Sequence, residues 1–142
     1  CVDFEHKTAS ADKSKAIRLV KLRFSRMLLY LGGLAAVSQT GGLEVDAKRQ
    51  KLEELFALPT TTRLQSIFGE DAGGPLARYA TFLQCLDDSR IRDQLDQKGD
   101  LGLKTQAYQD LSEEARAFRD ELRSMMHNVL GAEHDVLKAV LL

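Results

Sequence analysis

Four polar residues in the last third of the sequence are the side chains best suited to chemistry. They are Arg119, Arg123, His127 and Asn128. Arg123 and His127 are four residues apart, so on an α-helix their side chains lie one above the other on the same face. A guanidinium placed there could hold a phosphate group while the imidazole removed the proton of a ribose 2′-hydroxyl. The spacing therefore indicates a candidate catalytic pair acting on RNA.

The stretch from Arg119 to Ala139 resembles the end of HEPN-type helical ribonuclease domains, which carry an Arg followed by a His near the end of a long helix. The resemblance implies a ribonuclease with Arg123 and His127 as its catalytic residues. The chain departs from the family's pattern, with three residues between Arg123 and His127 and seven between Arg119 and His127. We therefore keep this activity as the alternative and interpret the pair as an exposed Arg and His without a catalytic role.

Other reactive side chains form no recognisable site. His127 and His134 are seven residues apart with Gly131 between them, whereas zinc ligands on one helix face favour a spacing of four. Cys85 stands beside Leu86 on a predicted inner helix face, where a free Cys behaves as a small apolar residue. The glycine pairs match no phosphate-binding motif. We therefore expect no metal, no cofactor and no nucleophilic cysteine.

The distribution of charge is uneven along the chain. The net charge is −1, but ten Lys or Arg and five Asp or Glu lie up to Lys51, against ten and sixteen beyond it. The candidate binding residues within this basic region are Lys15, Arg18, Lys21, Arg23 and Arg26. Such a cluster can contact nucleic acid, a membrane surface or an acidic protein. A near-neutral total and the lack of aromatic residues on the basic face favour a solvated helix over a nucleic-acid site.

Length and composition are typical of one globular domain over residues 1–142, with 44% hydrophobic residues, 29% charged residues and two prolines. The longest nearly uninterrupted apolar run, Met27 to Val37, is shorter than the roughly 20 residues of a membrane span. The sequence opens with no signal peptide, and Cys1 and Cys85 have no paired spacing, so we expect a cytoplasmic protein. Because residue 1 is not Met, we also expect a fragment or domain of a longer protein.

Apolar periodicity predicts an all-α fold, with five to seven helices in an irregular antiparallel bundle. Residues 1–9 are predicted as an arm or short strand, and Val2 to Glu5 resembles the last strand of a nucleotidyltransferase domain followed by a helical tail. The first helix is predicted from an N-cap at Ser10 or Asp12 to Leu31. Gly32 and Gly33 end or loosen it, or Leu34 to Val37 continue it for one more turn. Later helices are expected over Val45–Ala57, Thr60–Phe68, Pro75–Leu86, Asp88–Leu95 and His134–Leu142.

The same periodicity predicts which residues of these helices face the core. In the first helix they are Ile17, Val20, Phe24, Met27 or Leu28, and Leu31. In the next helix they are Leu52, Leu55 and Phe56. After Pro75 they are Leu76, Tyr79 or Ala80, Leu83 and Leu86.

The clearest pattern lies in a long helix predicted to begin at Thr105 and to end before Gly131. Its apolar residues alternate at spacings of three and four: Tyr108, Leu111, Ala115, Phe118, Leu122, Met125 and Val129. These side chains share one helix face, which we call the seam and which must pack against other helices. We expect the seam to pack within the chain, with a dimer formed through it as the alternative.

Taken with the lack of a specific catalytic motif, these features predict a non-enzymatic helical module for protein–protein interaction or assembly within a larger protein or complex. Its expected partner is another protein or a second copy of the chain. A HEPN-like ribonuclease using Arg123 and His127, and a nucleic-acid-binding domain using the basic first helix, are the alternatives.

Overall fold

The computed structural model describes residues 14–131, and all of the regular structure within this range is helical. The α-helices are α1 (Lys15–Lys21), α2 (Met27–Ser38), α3 (Val45–Ala57), α4 (Thr60–Phe68), α5 (Gly73–Asp87), α6 (Ser89–Leu95) and α7 (Gln106–Leu130). A π-helical segment (Leu22–Arg26) joins α1 to α2, and 3₁₀ turns (Gly69–Ala72 and Leu101–Lys104) precede α5 and α7. The predicted all-α fold is confirmed, and the antiparallel arrangement of its helices stays a prediction.

Several predicted features lie outside the described residues. They are the arm over residues 1–9 with the strand-like Val2 to Glu5, and the terminal helix His134–Leu142. The described α1 begins after Ser14, which replaces Ser10 and Asp12 as the observed N-cap. None of the helices between residues 14 and 131 combines the length and the apolar character needed to span a membrane.

The chain divides into two compact units. Among the described residues, the first unit consists of residues 14–26 together with Ala77–Arg119, and the second of Met27–Leu76 together with residues 120–131. The predicted single domain over residues 1–142 stays a prediction.

Aromatic rings form the core of the first unit. Phe24 stacks on Phe82 with ring centroids 4.2 Å apart and on Phe118 at 5.1 Å. On the predicted inner face of α5, Leu83 is wrong, because it is 43% exposed whereas Phe82 is 2% exposed. Of the predicted alternatives Tyr79 and Ala80, Tyr79 is half-buried and Ala80 is exposed. Phe82 takes the buried place because its ring stacks on that of Phe24.

Short polar side chains begin the helices of the first unit. Ser14 Oγ accepts a hydrogen bond from Ile17 N at 3.4 Å and donates one to the carbonyl of Leu95 at 2.5 Å. Asp88 accepts from the backbone N–H of Arg90 at 2.9 Å, and Thr105 Oγ1 accepts from Tyr108 N at 3.3 Å. These caps satisfy N–H groups that have no partner within their helices. The helix predicted to start at Asp88 or Ser89 begins at Ser89, and the helix predicted to start at Thr105 begins one residue later, at Gln106.

In the second unit, α2 packs against α4 through a glycine. Gly32 is buried beside Thr60, and α2 continues through Gly32 and Gly33 to Ser38, so the predicted continuation over Leu34 to Val37 is confirmed and the alternative, a helix end at the glycines, is wrong. Leu28, Leu31 and Ala35 are buried on the same side of α2. Glycine costs helix stability, but here it permits the close approach of a second helix.

A buried arginine links α3 to α4. Arg63 Nε donates to the carbonyl of Leu55 at 2.8 Å, and its Nη2 donates to that of Leu58 at 3.0 Å. The carbonyl of Leu55 also accepts from the N–H of Leu58 at 3.2 Å, so the arginine adds a second bond there and pairs the carbonyl of Leu58 just beyond the helix. The guanidinium also lies 4.6 Å from the centre of the Phe56 ring. Phe56 was predicted to face the core, but half of its surface is exposed.

The seam of α7 is largely confirmed. Its five central members, Leu111, Ala115, Phe118, Leu122 and Met125, are all buried. The last member, Val129, is exposed, and Met126 is buried in its place. Gly131 follows the helix with φ +78°, and its N–H donates to the carbonyl of His127 at 3.0 Å, as expected of a C′ glycine.

Candidate functional site

The predicted catalytic pair lies in the last two turns of α7, within the second unit. Arg123 is exposed, His127 is half-buried, and the helix is continuous across both, so the two residues do share a face. Asn128 is exposed, and Arg119 has an interaction partner in the chain. A catalytic pair also needs a space next to it in which a substrate can sit.

A cavity of about 470 Å³ lies at this end of α7, but its lining differs from the predicted site. Its lining residues are Asp71, Gly74, Pro75, Asp120, Glu121, Ser124, Met125 and Asn128. Arg123 and His127 are not among them, and the ionisable side chains that do line it are all acids. Carboxylates repel the phosphates of RNA. The cavity therefore gives the Arg123 and His127 pair no space suited to an RNA strand.

Two cations of the basic cluster are held by groups within the first unit. Lys15 Nζ forms an ion pair with Asp100 Oδ1 at 2.9 Å, and Arg23 Nη1 donates to Ser112 Oγ at 3.0 Å. Arg18 and Arg26 also have interaction partners. Lys21 is exposed. Lys15 and Arg23 thus contribute to the ion pairing and hydrogen bonding of their own unit.

The structure adds an aromatic residue to the basic cluster. The guanidinium of Arg23 lies 5.8 Å from the centre of the Tyr108 ring, in a cavity of about 410 Å³ that Ser112 and Arg116 also line. Sequence reasoning does not predict this contact, because Tyr108 is 85 residues from Arg23 and fits the seam. The only local signal was the four-residue spacing of Tyr108, Ser112 and Arg116, which places them on one helix face.

The most unusual surface of the second unit is on α2. No charged residue occurs in Met27–Ser38, and the side of α2 opposite its buried face exposes Leu29, Tyr30 and Val37 by 60%, 55% and 49%. Gly33 lies between them, and a Cβ there would meet no atom within 4 Å. We call Leu29, Tyr30, Gly33 and Val37 the α2 stripe. A helix that is apolar all round is normally buried on all sides.

A second exposed apolar surface follows α3. A groove of about 470 Å³ is lined by Val45, Lys48, Arg49, Leu52, Glu53 and Phe56, which we call the α3 face. Val45 is 79% exposed and Phe56 is 50% exposed. Periodicity marks these residues as one helix face but cannot say whether that face is covered, so the sequence assigned Phe56 to the core.

Cys85 has the character of a structural thiol. It is half-buried on α5, and burial raises its pKa above the usual value, with the carboxylates of Asp88 and Glu114 acting in the same direction. A raised pKa leaves little thiolate, which is the nucleophilic form. Among residues 14–131, no group of His, Cys, Asp and Glu side chains is arranged to hold a metal ion.

Sequence and fold were also compared with those of known proteins. No family model, curated protein or solved structure matches this chain.

Proposed function

We propose that the chain is a non-enzymatic helical module for protein–protein interaction or assembly. The observation that carries the proposal is the α2 stripe, an uncharged strip of Leu29, Tyr30 and Val37 left open on a helix whose other side is already buried. Contiguous exposed apolar surface of this kind is uncommon on proteins that act alone and is typical of interaction sites.

The energetics of the α2 stripe favour a protein partner. Transfer of a Leu or Val side chain from water to an apolar surface is worth about 1.5–3 kcal/mol. Tyr30 adds a ring that can pack on apolar atoms while its hydroxyl keeps a hydrogen bond, which is why Tyr is common at interfaces. The proposal includes a cytoplasmic location and a place within a larger protein or complex.

Site-specific photo-crosslinking tests this function. A photoreactive residue is introduced at Leu29 or Val37 in the full chain in cells, with the exposed Gln84 of α5 as the matched control position. We expect covalent protein adducts from positions 29 and 37 and none from position 84. Val37→Lys should abolish the adduct formed from position 29, since a charge on the stripe opposes its burial. Absence of adducts from both stripe positions would contradict the proposal.

Nucleic-acid binding through the basic cluster is a second candidate function. The observation that favours it is the Tyr108 ring beside Arg23, because a cation next to an aromatic face is a common arrangement in single-strand binding sites. The ion pair between Lys15 and Asp100 and the bond from Arg23 to Ser112 weigh against it, since both cations are already engaged.

A further inference from the structure

We infer that the α3 face is a self-association surface, on which the α3 helix of a second copy of this chain packs in antiparallel orientation. The inference rests on the proposed function and names the partner of one surface. Other parts of the described chain cover little of α3. Of its thirteen residues, Leu55 is the one that is buried, and the described residues 41–51 are all exposed.

The described chain packs against only part of α3 and leaves most of its residues exposed. Isolated helices shorter than about 12–15 residues are marginal in water, and most helical stability in proteins comes from the packing of an apolar face. Arg63 secures the C-terminal end of α3 through the carbonyl groups of Leu55 and Leu58. Arg63 forms no bond to the preceding turns, which carry Val45 and Leu52. A partner that packs on these turns would add to the stability of the helix.

The order of residues along the α3 face is suited to a copy of itself. Val45 and Phe56 stand at equal distances from the midpoint between Gln50 and Lys51, about 16 Å apart along the helix. When a second α3 is placed antiparallel about a two-fold axis at this midpoint, Val45 of each copy meets Phe56 of the other. The two largest exposed apolar side chains of the face are therefore covered at both ends of the contact.

The charges on this face suit the antiparallel arrangement. Arg49 and Glu53 are four residues apart and lie on the same flank of α3. A two-fold axis perpendicular to both helices keeps that flank facing itself. Arg49 of each copy therefore lies opposite Glu53 of the other, within about one residue of register.

The size of the contact limits its strength. Stable interfaces bury about 1,200–2,000 Å² in total. One pair of helices in contact over about 16 Å falls short of that range. The dissociation constant of the dimer should therefore be on the order of micromolar or larger. A reversible contact of this kind agrees with a surface that carries Arg and Glu as well as apolar residues.

Sedimentation equilibrium of the full chain over a range of concentrations tests the inference. Arg49→Glu and Glu53→Arg should each weaken self-association by about tenfold or more, because two attractive contacts become repulsive. An equimolar mixture of the two variants should form a heterodimer, and the double variant R49E/E53R should self-associate again. Lys51→Glu is the control, since it reverses a charge on the far side of the same helix. Circular dichroism of each variant verifies that it is folded.

The pattern of rescue separates this inference from the proposed function. Wild-type protein that stays monomeric at every concentration, or single variants that do not rescue each other, would overturn the α3 dimer. If the α3 dimer is ruled out but photo-crosslinks still form from the α2 stripe, the protein–protein interaction module remains supported. Its partner is then not a second copy bound through the α3 face. Rescue in the mixture together with an unaffected Lys51→Glu control supports the antiparallel pair.

Discussion

A Cβ atom at Gly32 would lie 2.6 Å from Cγ2 of Thr60, closer than real Cβ contacts. At the next residue, Gly33, a Cβ would meet no atom within 4 Å. We therefore expect Gly33→Ala to raise the free energy of unfolding by about 0.5–1 kcal/mol, because Ala favours a helix. Gly32→Ala should lower it by about 1–3 kcal/mol, since α2 and α4 must move apart. Urea unfolding of the two variants measures both changes in the free energy of unfolding. Equal changes would show that α2 and α4 do not approach each other as closely as described.

The seam of α7 gives a second pair of substitutions. Leu122→Ala should lower the free energy of unfolding by about 2–5 kcal/mol, because it opens a cavity in a fully buried position. Phe118→Ala should do the same. Val129→Ala, at the exposed end of the seam, should change it by less than about 1 kcal/mol. Thermal or urea unfolding followed by circular dichroism compares the three, and a neutral Leu122→Ala would mean that the seam is open in solution.

The long helix was predictable because its evidence is local. Thr105, Gly131 and the alternating spacing between them all lie within one stretch of sequence, and together they place α7 to within a residue. The choice between Phe82 and Leu83 is different. Both fit a helical repeat, and the choice depends on the ring of Phe24, which stacks on Phe82 and is far away in sequence.

The surfaces were harder to predict than the helices for the same reason. An apolar stripe shows which face of a helix avoids water, but not whether the chain itself covers that face. Leu52, Leu55 and Phe56 look alike in sequence, yet Leu55 alone of the three is buried. Similarly, the contact between Arg23 and Tyr108 joins residues from different helices, so charge counting along α1 could not reveal it.

Cys85 provides a prediction about pH. Burial first, and then the charges of Asp88 and Glu114, raise the pKa of this thiol in the folded chain. The unfolded chain therefore loses the thiol proton first as the pH rises. The stability linked to Cys85 is fully present below the unfolded pKa and is lost as the pH rises through the folded pKa.

Alkylation with iodoacetamide, in a Cys1→Ser background, should accordingly have its midpoint at a higher pH in the folded chain than in the urea-unfolded chain. Asp88→Asn should lower the folded midpoint without removing the whole difference, because burial is the larger cause and Asn keeps a cap acceptor for the N–H of Arg90. A folded midpoint at or below the unfolded one would contradict the burial of Cys85.

Nucleic-acid binding, the second candidate function, predicts a steep dependence of affinity on salt. Each phosphate neutralised by the basic cluster should steepen the slope of log affinity against log salt by about 0.7–0.9. Lys21→Glu should then weaken binding, and Tyr108→Leu should remove the contribution of ring stacking. Fluorescence anisotropy with labelled RNA and DNA at two salt concentrations measures this, and no binding at low salt would remove the candidate.

The HEPN-type alternative is tested at Arg123 and His127. We expect the wild-type chain to show no cleavage of single-stranded or structured RNA in EDTA, because the cavity at this end of α7 is lined by Asp71, Asp120 and Glu121 and not by the pair. A catalytic pair would give products ending in a 2′,3′-cyclic phosphate, since the attacking oxygen is internal to the RNA.

His127→Ala would abolish that cleavage, because the 2′-hydroxyl is a poor nucleophile without a general base. Arg123→Ala would do likewise by removing the cation that holds the phosphate. Arg92→Ala, at an exposed position of the first unit, is the control and should have no effect. Cleavage that both pair variants remove and the control retains would contradict a non-enzymatic module and establish the ribonuclease, since a contaminating nuclease would not respond to either substitution.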